Sequence, residues 1–509
     1  MNLINRSKRK NDIVFLTDSF RLDRGGLTKA ILARANILSS EYEKINFLTV
    51  SFQRNLQKVV EDAKSTNQVS NNIKVYNIFE DLYFSEISQS THSDSIAEES
   101  LLEEKGYEII ASQKSKFKSY RYFKNGIYKK YKRYHLDGYL EYVDYFDDAK
   151  NKIRHDEFNT DNKLVLSRSY DAFENPKVER FFNSEGVCVL SIWINDDGDL
   201  GRCFTFTDNK SYNSFKDLQI AWFENKLKEL NLKNVTITVD QRHLDPIVIN
   251  LNSNFFEAKK IAITHNIHLE KPFDNPKNIT KSYKRFYENL DKFDELVFLT
   301  QKQRDDVYSL YGSISKYNVI PHSVPYNHKA KENNHDQLLA ITIARLVPQK
   351  RVDQAIRAFR FVVDKIPAAK YEIYGVGVEE KKLKTLVEEL KLTNNVIFKG
   401  YTKNAMEQYS KASLSILTSD YEGFGLVLTE SLSVGTPVVA FDIKYGPSDI
   451  IRDGIDGYLI EKNDLAAMAE KIINIMNDEN HRMFLSENAI KVNDRFSVER
   501  FKDNWLSIL

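Results

Sequence analysis

The stretch DYEGFGLVLTESLSVGTPVVAFDIKYGPSD, residues 420–449, places Glu422 beside a glycine-rich turn and Glu430 inside the segment of helical spacing that follows. SLSILTS (413–419) before it reads as a strand, and so does PVVAFD (437–442) within it. Strand, glycine turn and helix make one step of an α/β fold. Gly423 and Gly425 let backbone N–H groups approach a ligand, and the helix mouth favours an anion. Glu430 faces back toward that mouth. Carboxylates suit vicinal hydroxyls, so this pair is suited to gripping sugars. Dipole compensation by Glu422 and an exposed helix position for Glu430 are the ordinary alternatives.

The same alternation extends through the C-terminal half. LLAITIA (338–344), KYEIYG (370–375) and NVIFKG (395–400) read as strands. VDQAIRAFRFVVDKI (352–366) reads as a helix, with Ala355, Ile356, Phe359, Val362, Val363 and Ile366 on its apolar side. Such apolar strands predict a parallel sheet covered on both faces. In ITIARLVPQKR (341–351), Arg345 just follows a strand and Lys350 just precedes a helix. A guanidinium fork and a compact ammonium at one strand end suit a diphosphate; a solvated loop is the equal competitor for this motif alone.

The N-terminal half opens a second α/β domain. DIVFLTD (12–18) is a strand and LTKAILARANIL (27–38) a helix, with Gly25 and Gly26 at the helix entry. These glycines form a second phosphate-compatible mouth, against which stands an ordinary tight turn. The domain resumes with the helix FKDLQIAWFENKLKEL (215–230) and the strands VTITVD (235–240), KIAITHN (260–266) and ELVFLT (295–300). His265 falls at a strand's carboxyl end, where ligands of open α/β sheets bind. The expected organisation is an N-terminal Rossmann-like domain, 1–72 and 216–325, interrupted by a β-rich insertion, 73–215. A linker at 323–337 leads to a C-terminal Rossmann-like domain, 326–494, and a C-terminal helix, 495–509, returns toward the first domain.

Alternating aromatic and polar residues punctuated by NG, DG and GD predict hairpins for the insertion. Within it, QKSKFKSYRYFKNGIYKKYKRYH (113–135) carries nine Lys/Arg and no acid. That run predicts a local basic face for a polyanion, with Lys129, Lys130, Lys132 and Arg133 as acceptor contacts, against a solvated hairpin face.

The 509 residues suffice for several cores, and 73 Lys+Arg against 72 Asp+Glu name no partner by net charge. Two cysteines, Cys188 and Cys203, make no disulfide framework and suit a reduced cytoplasmic setting. The basic N-terminus precedes an apolar run too short for a signal peptide, and no run reaches membrane-spanning length. A soluble cytoplasmic protein is expected, with contact at the inner membrane face left open. YGVGVEEKK (374–382) lacks the third glycine of a dinucleotide fingerprint, and the D-x-D of NDDGDLG (195–201) reads as a hairpin turn. There is no zinc spacing, G-x-S-x-G elbow or nucleic-acid module, so neither a metal nor a nucleic-acid partner is expected.

E-G-F-G-L-V-L-T-E, with RLVPQK and the N-terminal GG, resembles the retaining GT-B glycosyltransferases, built from two facing Rossmann-like domains. VVAFDIKYGPSDIIRDGIDGYLI and the tyrosine-rich insertion resemble more narrowly the bacterial wall teichoic acid α-glycosyltransferases. The resemblance implies that Arg345 and Lys350 grip the donor diphosphate without a metal or other cofactor, and that Gly25 and Gly26 add backbone donors. Glu430 would bind the nucleotide ribose and Tyr401 the base. Glu422 would hold the transferred sugar in a pocket shaped by Gly423, Phe424, Gly425 and Leu426, with His265 near sugar and acceptor. The implied reaction moves glucose or N-acetylglucosamine from a UDP-sugar to a poly(polyol-phosphate). It retains configuration by same-face attack, without a covalent role for Glu422. The insertion implies a homotrimer. Similar enzymes modify serine-rich or Ser-Asp-repeat adhesins, an acceptor that charge does not separate from teichoic acid. A non-catalytic GT-B companion should have lost the clamp or the glutamates.

Overall fold

Short apolar runs bounded by turn residues become buried strands in the computed structural model, which describes residues 12–22, 26–84, 102–112, 116–252, 254–324 and 335–509. The chain divides into two units, Met1–Lys259 and Lys260–Leu509.

In the first unit, β1 (Asp12–Thr17), β2 (Ile45–Thr49) and β3 (Ile73–Asn77) pair in parallel, and ten strands, β4 to β13, follow between Glu108 and Tyr212. β14 (Asn234–Val239) then pairs in parallel with β1. Helix Gly26–Leu38 follows β1 and buries Ile31, Leu32, Ala35 and Leu38. Its Arg34 is also buried, held by Asp240 through two bonds of 2.6 and 3.0 Å that offset the cost of desolvating the charge. Ser214 and Asp217 form a reciprocal capping box at the start of helix Phe215–Glu229.

Strands β4 to β13 form a single antiparallel sheet in which every neighbour in the chain is a neighbour in the sheet. The Asn125-Gly126 turn has positive φ at both residues, 50° and 75°, as a tight hairpin requires. The insertion was expected to begin at residue 73, but Ile73–Asn77 belongs to the parallel sheet, in register with Ile45–Thr49. Its alternating sequence misleads because β3 is an edge strand, with Ile73 and Asn77 buried, Lys74 exposed and Val75 and Tyr76 half-buried. Alternation therefore does not distinguish it from a half-exposed antiparallel strand.

The expected basic face is also corrected. Lys129 pairs with Asp148, Lys130 with Glu104 at 2.9 Å, and Arg133 with Glu141 at 2.8 Å. Lys132 is 0% exposed and paired with Glu104, its ammonium 5.1 Å above the Tyr122 ring. Strand pleating sends Lys129 and Arg133 to one face and Lys130 and Lys132 to the other, and the carboxylates arrive from elsewhere in the chain. These four side chains are each paired with a carboxylate, and Lys132 has no surface with which to touch a polymer.

In the second unit, β15 (Glu257–Thr264), β16 (Glu295–Phe298) and β17 (Lys316–Val319) pair in parallel in that order. The six strands β18 (Asp336–Ile343), β19 (Lys370–Tyr374), β20 (Val396–Gly400), β21 (Ala412–Leu417), β22 (Val438–Phe441) and β23 (Gly457–Ile460) form a parallel sheet in the order β20-β19-β18-β21-β22-β23. Helix Val352–Lys365 buries Ala355, Ile356, Phe359 and Val362 as its periodicity predicts, in one core with Met468, Ile472 and Ile475 of helix Leu465–Asn477. Helix Val498–Ile508 buries Phe501 and Trp505. Among the described residues, no helix is long and apolar enough to cross a membrane.

The antiparallel sheet also carries a titratable site. His155 Nδ1 lies 2.7 Å from Asp144 and its Nε2 3.6 Å from Glu157. Burial lowers its pKa, but hydrogen bonds and charge from the two carboxylates outweigh this and raise it from 6.5 to about 9. The folded state therefore holds this proton more tightly than the unfolded chain. The stabilisation is complete below pH 6.5 and is lost as pH rises through 9; at one pKa unit per 1.36 kcal/mol it amounts to roughly 3 kcal/mol. His155→Gln should lower the thermal midpoint most near pH 6, and the gap to the parent should close above pH 9. A gap independent of pH would place the effect in packing.

Candidate active site

The loop after β18 carries Arg345, exposed, and then a turn of 3₁₀ helix, Pro348–Lys350, that ends on Lys350. The loop after β21 carries Glu422. Gln349 stitches these two loops through its main chain and side chain: Asp420 N donates to Gln349 O at 2.8 Å, and Gln349 Nε2 donates to Tyr421 O at 3.0 Å. The stitching brings the Lys350 ammonium to 2.6 Å from Glu422 Oε1, which also accepts the Ser419 hydroxyl at 2.6 Å. Glu422 is 7% exposed, so its charge is balanced inside the loop. Helix Leu426–Ser433 then starts from Gly425, whose φ of +96° suits glycine. Glu430 lies on this helix, half-buried, with its charge felt at the buried Tyr409, whose hydroxyl pKa rises through burial first and Glu430 second. Tyr401 is exposed beyond β20.

His265 leaves the carboxyl end of β15 directly against this loop. A Cβ on Gly423 would sit 1.7 Å from His265 O, so only glycine permits the approach. The His265 ring stacks on His322 with centroids 5.5 Å apart, and His322 meets the Phe424 ring edge-on. Arg345, Lys350, Glu422, Gly423, Phe424 and His265 thus belong to one neighbourhood of the second unit. Gly26 opens its helix in the first unit, and Gly25 lies outside the described residues.

Several participants escaped sequence reasoning. The YGVG run, set aside as a dinucleotide fingerprint, has another use. A Cβ on Gly375 would lie 1.8 Å from Ala344 O and one on Gly377 2.2 Å from Leu346 O, so both glycines admit the Arg345 loop. The G-x-G after a strand was the available signal. Ser419 stands three residues before Glu422, but only the folded turn joins hydroxyl to carboxylate. His268, three residues beyond His265, is 0% exposed, and burial pushes its imidazole down to about 4, with Asp306 opposing and Lys444 adding to the fall. It is a neutral ring at neutral pH. No cluster of three or more His, Cys, Asp or Glu suited to a metal ion occurs among the described residues.

Residues 324–492 match the family of group 1 glycosyl transferases, and residues 14–204 match glycosyl transferase 1 domain A. The chain is 29% identical over 514 residues to the poly(glycerol-phosphate) alpha-glucosyltransferase of Bacillus subtilis, covering 97% of this chain and 74% of that protein. It is 28% identical over 500 residues to the poly(ribitol-phosphate) alpha-N-acetylglucosaminyltransferase of Staphylococcus aureus, covering 97% and 99%. The crystal structure of a mutant of S. aureus TarM in complex with fondaparinux, alpha-GlcNAc-glycerol and UDP matches with a TM-score of 0.83 and 26% identity, over 98% of this chain and 99% of that one. The fold is GT-B, with the antiparallel sheet inserted in its N-terminal region.

Gly423→Ala should drive a methyl group into the His265 carbonyl. Overpacking of this kind costs about 1–3 kcal/mol and displaces the loop that carries Glu422. The expected result is a folded protein with a lower thermal midpoint and weaker UDP binding by calorimetry. Parent-like values for both would mean that the close approach is not a constraint.

Proposed function

We propose that this chain, a GT-B glycosyltransferase resembling the bacterial wall teichoic acid α-glycosyltransferases, moves glucose or N-acetylglucosamine from a UDP-sugar to hydroxyls of a poly(polyol-phosphate). The observation that carries the reading is the Lys350–Glu422 pair at 2.6 Å, with Arg345 on the same loop as Lys350. A donor diphosphate competes for the Lys350 ammonium. As the ammonium turns to phosphate oxygens, Glu422 is released to accept hydroxyls of the transferred sugar, while Ser419 keeps its orientation. Glu430 takes the ribose, and Tyr401 supplies a flat exposed ring for the base. One pair exchange thereby couples donor binding to construction of the sugar pocket.

Breaking the bond from sugar to phosphate puts negative charge on the leaving UDP. Arg345 and Lys350 are placed for that charge and take the part a metal plays elsewhere. The reading includes retention of configuration: the acceptor hydroxyl attacks from the face that UDP leaves, and a phosphate oxygen receives its proton. Glu422, released from Lys350 and oriented by Ser419, acts as a sugar ligand and forms no covalent bond. The same reading places the enzyme in the cytoplasm, where UDP-sugars are made, as a homo-oligomer assembled through the antiparallel sheet. Of the four residues expected to meet the acceptor, Lys132 is buried and takes no part.

The deciding experiment measures UDP release from UDP-glucose and UDP-N-acetylglucosamine with polyribitol-phosphate, polyglycerol-phosphate or a Ser-Asp-repeat peptide. Release with a polyol-phosphate polymer is expected. Release with the peptide alone would move the acceptor to adhesins, and no release with any pair would reject the transferase reading. Lys350→Ala should lower turnover by roughly 10²–10³-fold with unchanged circular dichroism, a typical loss for one charge-stabilising donor. Turnover within about tenfold of the parent would remove Lys350 from the clamp. Excess EDTA should leave turnover intact; a loss restored by a divalent cation would give the charge-stabilising role to a metal.

A further inference from the structure

The segment KYGPSD, residues 444–449, has no part in donor chemistry as derived above, yet three of its side chains converge on one helix, Gln301–Tyr311. Lys444 Nζ lies 2.8 Å from Asp306 Oδ2, and the Tyr445 hydroxyl donates to the same oxygen at 2.7 Å. Asp449 Oδ1 accepts Gln301 N at 2.8 Å, at the first residue of that helix. Tyr445 is fully buried, and its ring stacks on His268 at 15° with centroids 5.7 Å apart. His268 Nδ1 is 3.2 Å from Gln303 Nε2, which donates to Asn266 O at 2.9 Å. Asn266 also receives the Tyr283 hydroxyl at 3.2 Å, so the backbone just past His265 is fixed from two sides.

Tyr445 holds the opposite side through its own main chain. Its N–H donates to Glu422 O at 3.4 Å, and Gly446 follows with no room for a side chain, since a Cβ would lie 1.9 Å from Phe424 O. The residue therefore binds the Glu422 loop by its backbone and, by its side chain, the helix and strand end that orient His265. A phenol on a carboxylate is a short, directional bond, and the buried ring can move only if the stack on His268 opens.

We propose that Tyr445 and Asp306 are positioning residues for sugar transfer: their hydrogen bond keeps the Glu422 loop in register with the His265 strand end, so that donor sugar and acceptor meet in reactive geometry. The inference rests on the transferase reading above. Misplacement by about 1 Å at a reacting centre costs up to about 10²-fold in rate, so loss of this bond should appear in kcat. It should leave UDP affinity alone, because neither residue belongs to the phosphate clamp.

Tyr445→Phe, which keeps the ring stack, and Asp306→Asn test this in the full-length chain, with the acceptor polymer that the parent uses. Each should lower kcat by about tenfold or more while UDP affinity by calorimetry stays within about twofold. The double variant should be no slower than the worse single variant, because the Tyr445–Asp306 bond is already lost in each and only Asp306→Asn also weakens the Lys444 pair. Three results would overturn the proposal: kcat within about twofold of the parent in both, losses that multiply in the double variant, or UDP affinity falling in step with kcat. If Asp306→Asn does not fold, Tyr445→Phe decides alone on kcat and UDP affinity. Should the parent release no UDP with any substrate pair, the transferase reading fails separately. Hydrogen exchange then decides the positioning claim: faster exchange in Tyr445→Phe confined to 265–269 and 422–425 supports it, and unchanged exchange there rejects it.

Discussion

In the second unit, four contacts between loops bring backbone against backbone with no space for a methyl group, namely Gly375 on Ala344, Gly377 on Leu346, Gly423 on His265 and Gly446 on Phe424; a further one, Gly457 on Val438, lies inside the sheet. The rest of the site depends on these contacts, because they hold the loops after β15, β18, β19, β21 and β22 at distances that no side chain could bridge. A contact between main chains has no rotamers to lose, so once the strands are packed the loops have few alternatives. Lys350 is brought to Glu422 by the Gln349 bonds to Asp420 and Tyr421, and the Gly446 contact sets Tyr445 beside the Glu422 loop. Residues with a Cβ at these positions would leave the same charges on the same loops, with the distances between them lost.

Electrostatics then explains how polar groups can be buried in these loops. Glu422 is satisfied by Lys350 and Ser419, and Asp306 by Lys444 and Tyr445. Each carboxylate exchanges its water shell for one cation and one hydroxyl, the combination that offsets desolvation best. The two centres differ in one respect. Lys350 and Glu422 are each potential partners for a ligand, so their bond is replaceable. Tyr445 is buried against the His268 ring and bonds to the half-buried Asp306 of helix Gln301–Tyr311, so neither group is set out as a ligand partner. In the proposed mechanism the first centre changes partners during the reaction, and the second stays fixed beside it.

The antiparallel sheet shows the limit of reading charge along one dimension. Nine basic residues in 23 positions look like an electrostatic track, but a strand alternates faces and its neighbours are set by the next hairpin. Glu104, Glu141 and Asp148 lie outside the run and arrive beside it only after β4 to β7 have paired. His155 is similar: its proton is held by one carboxylate on the adjacent strand and a second two residues along its own.

Local periodicity and turn chemistry were legible in the sequence. The strand ends carrying His265, Arg345 and Glu422, the helix of Glu430, the apolar side of Val352–Lys365 and the hairpin character of the insertion all follow from residues within a few positions of one another. The spaced glutamates and the basic loop pointed to a nucleotide-sugar site for the same reason, since each motif is contiguous. Folding alone decided which motif meets which. Lys350 and Glu422 are 72 residues apart, and Tyr445 and Asp306 are 139 apart. No periodicity spans such separations; sheet order, the close approach of loops and the hydrogen bonds between them bring these groups within hydrogen-bonding distance. The sequence by itself determined the parts and their local form, while close packing of distant loops decided their partners, because a hydrogen bond depends on distance in space and not on position in the chain.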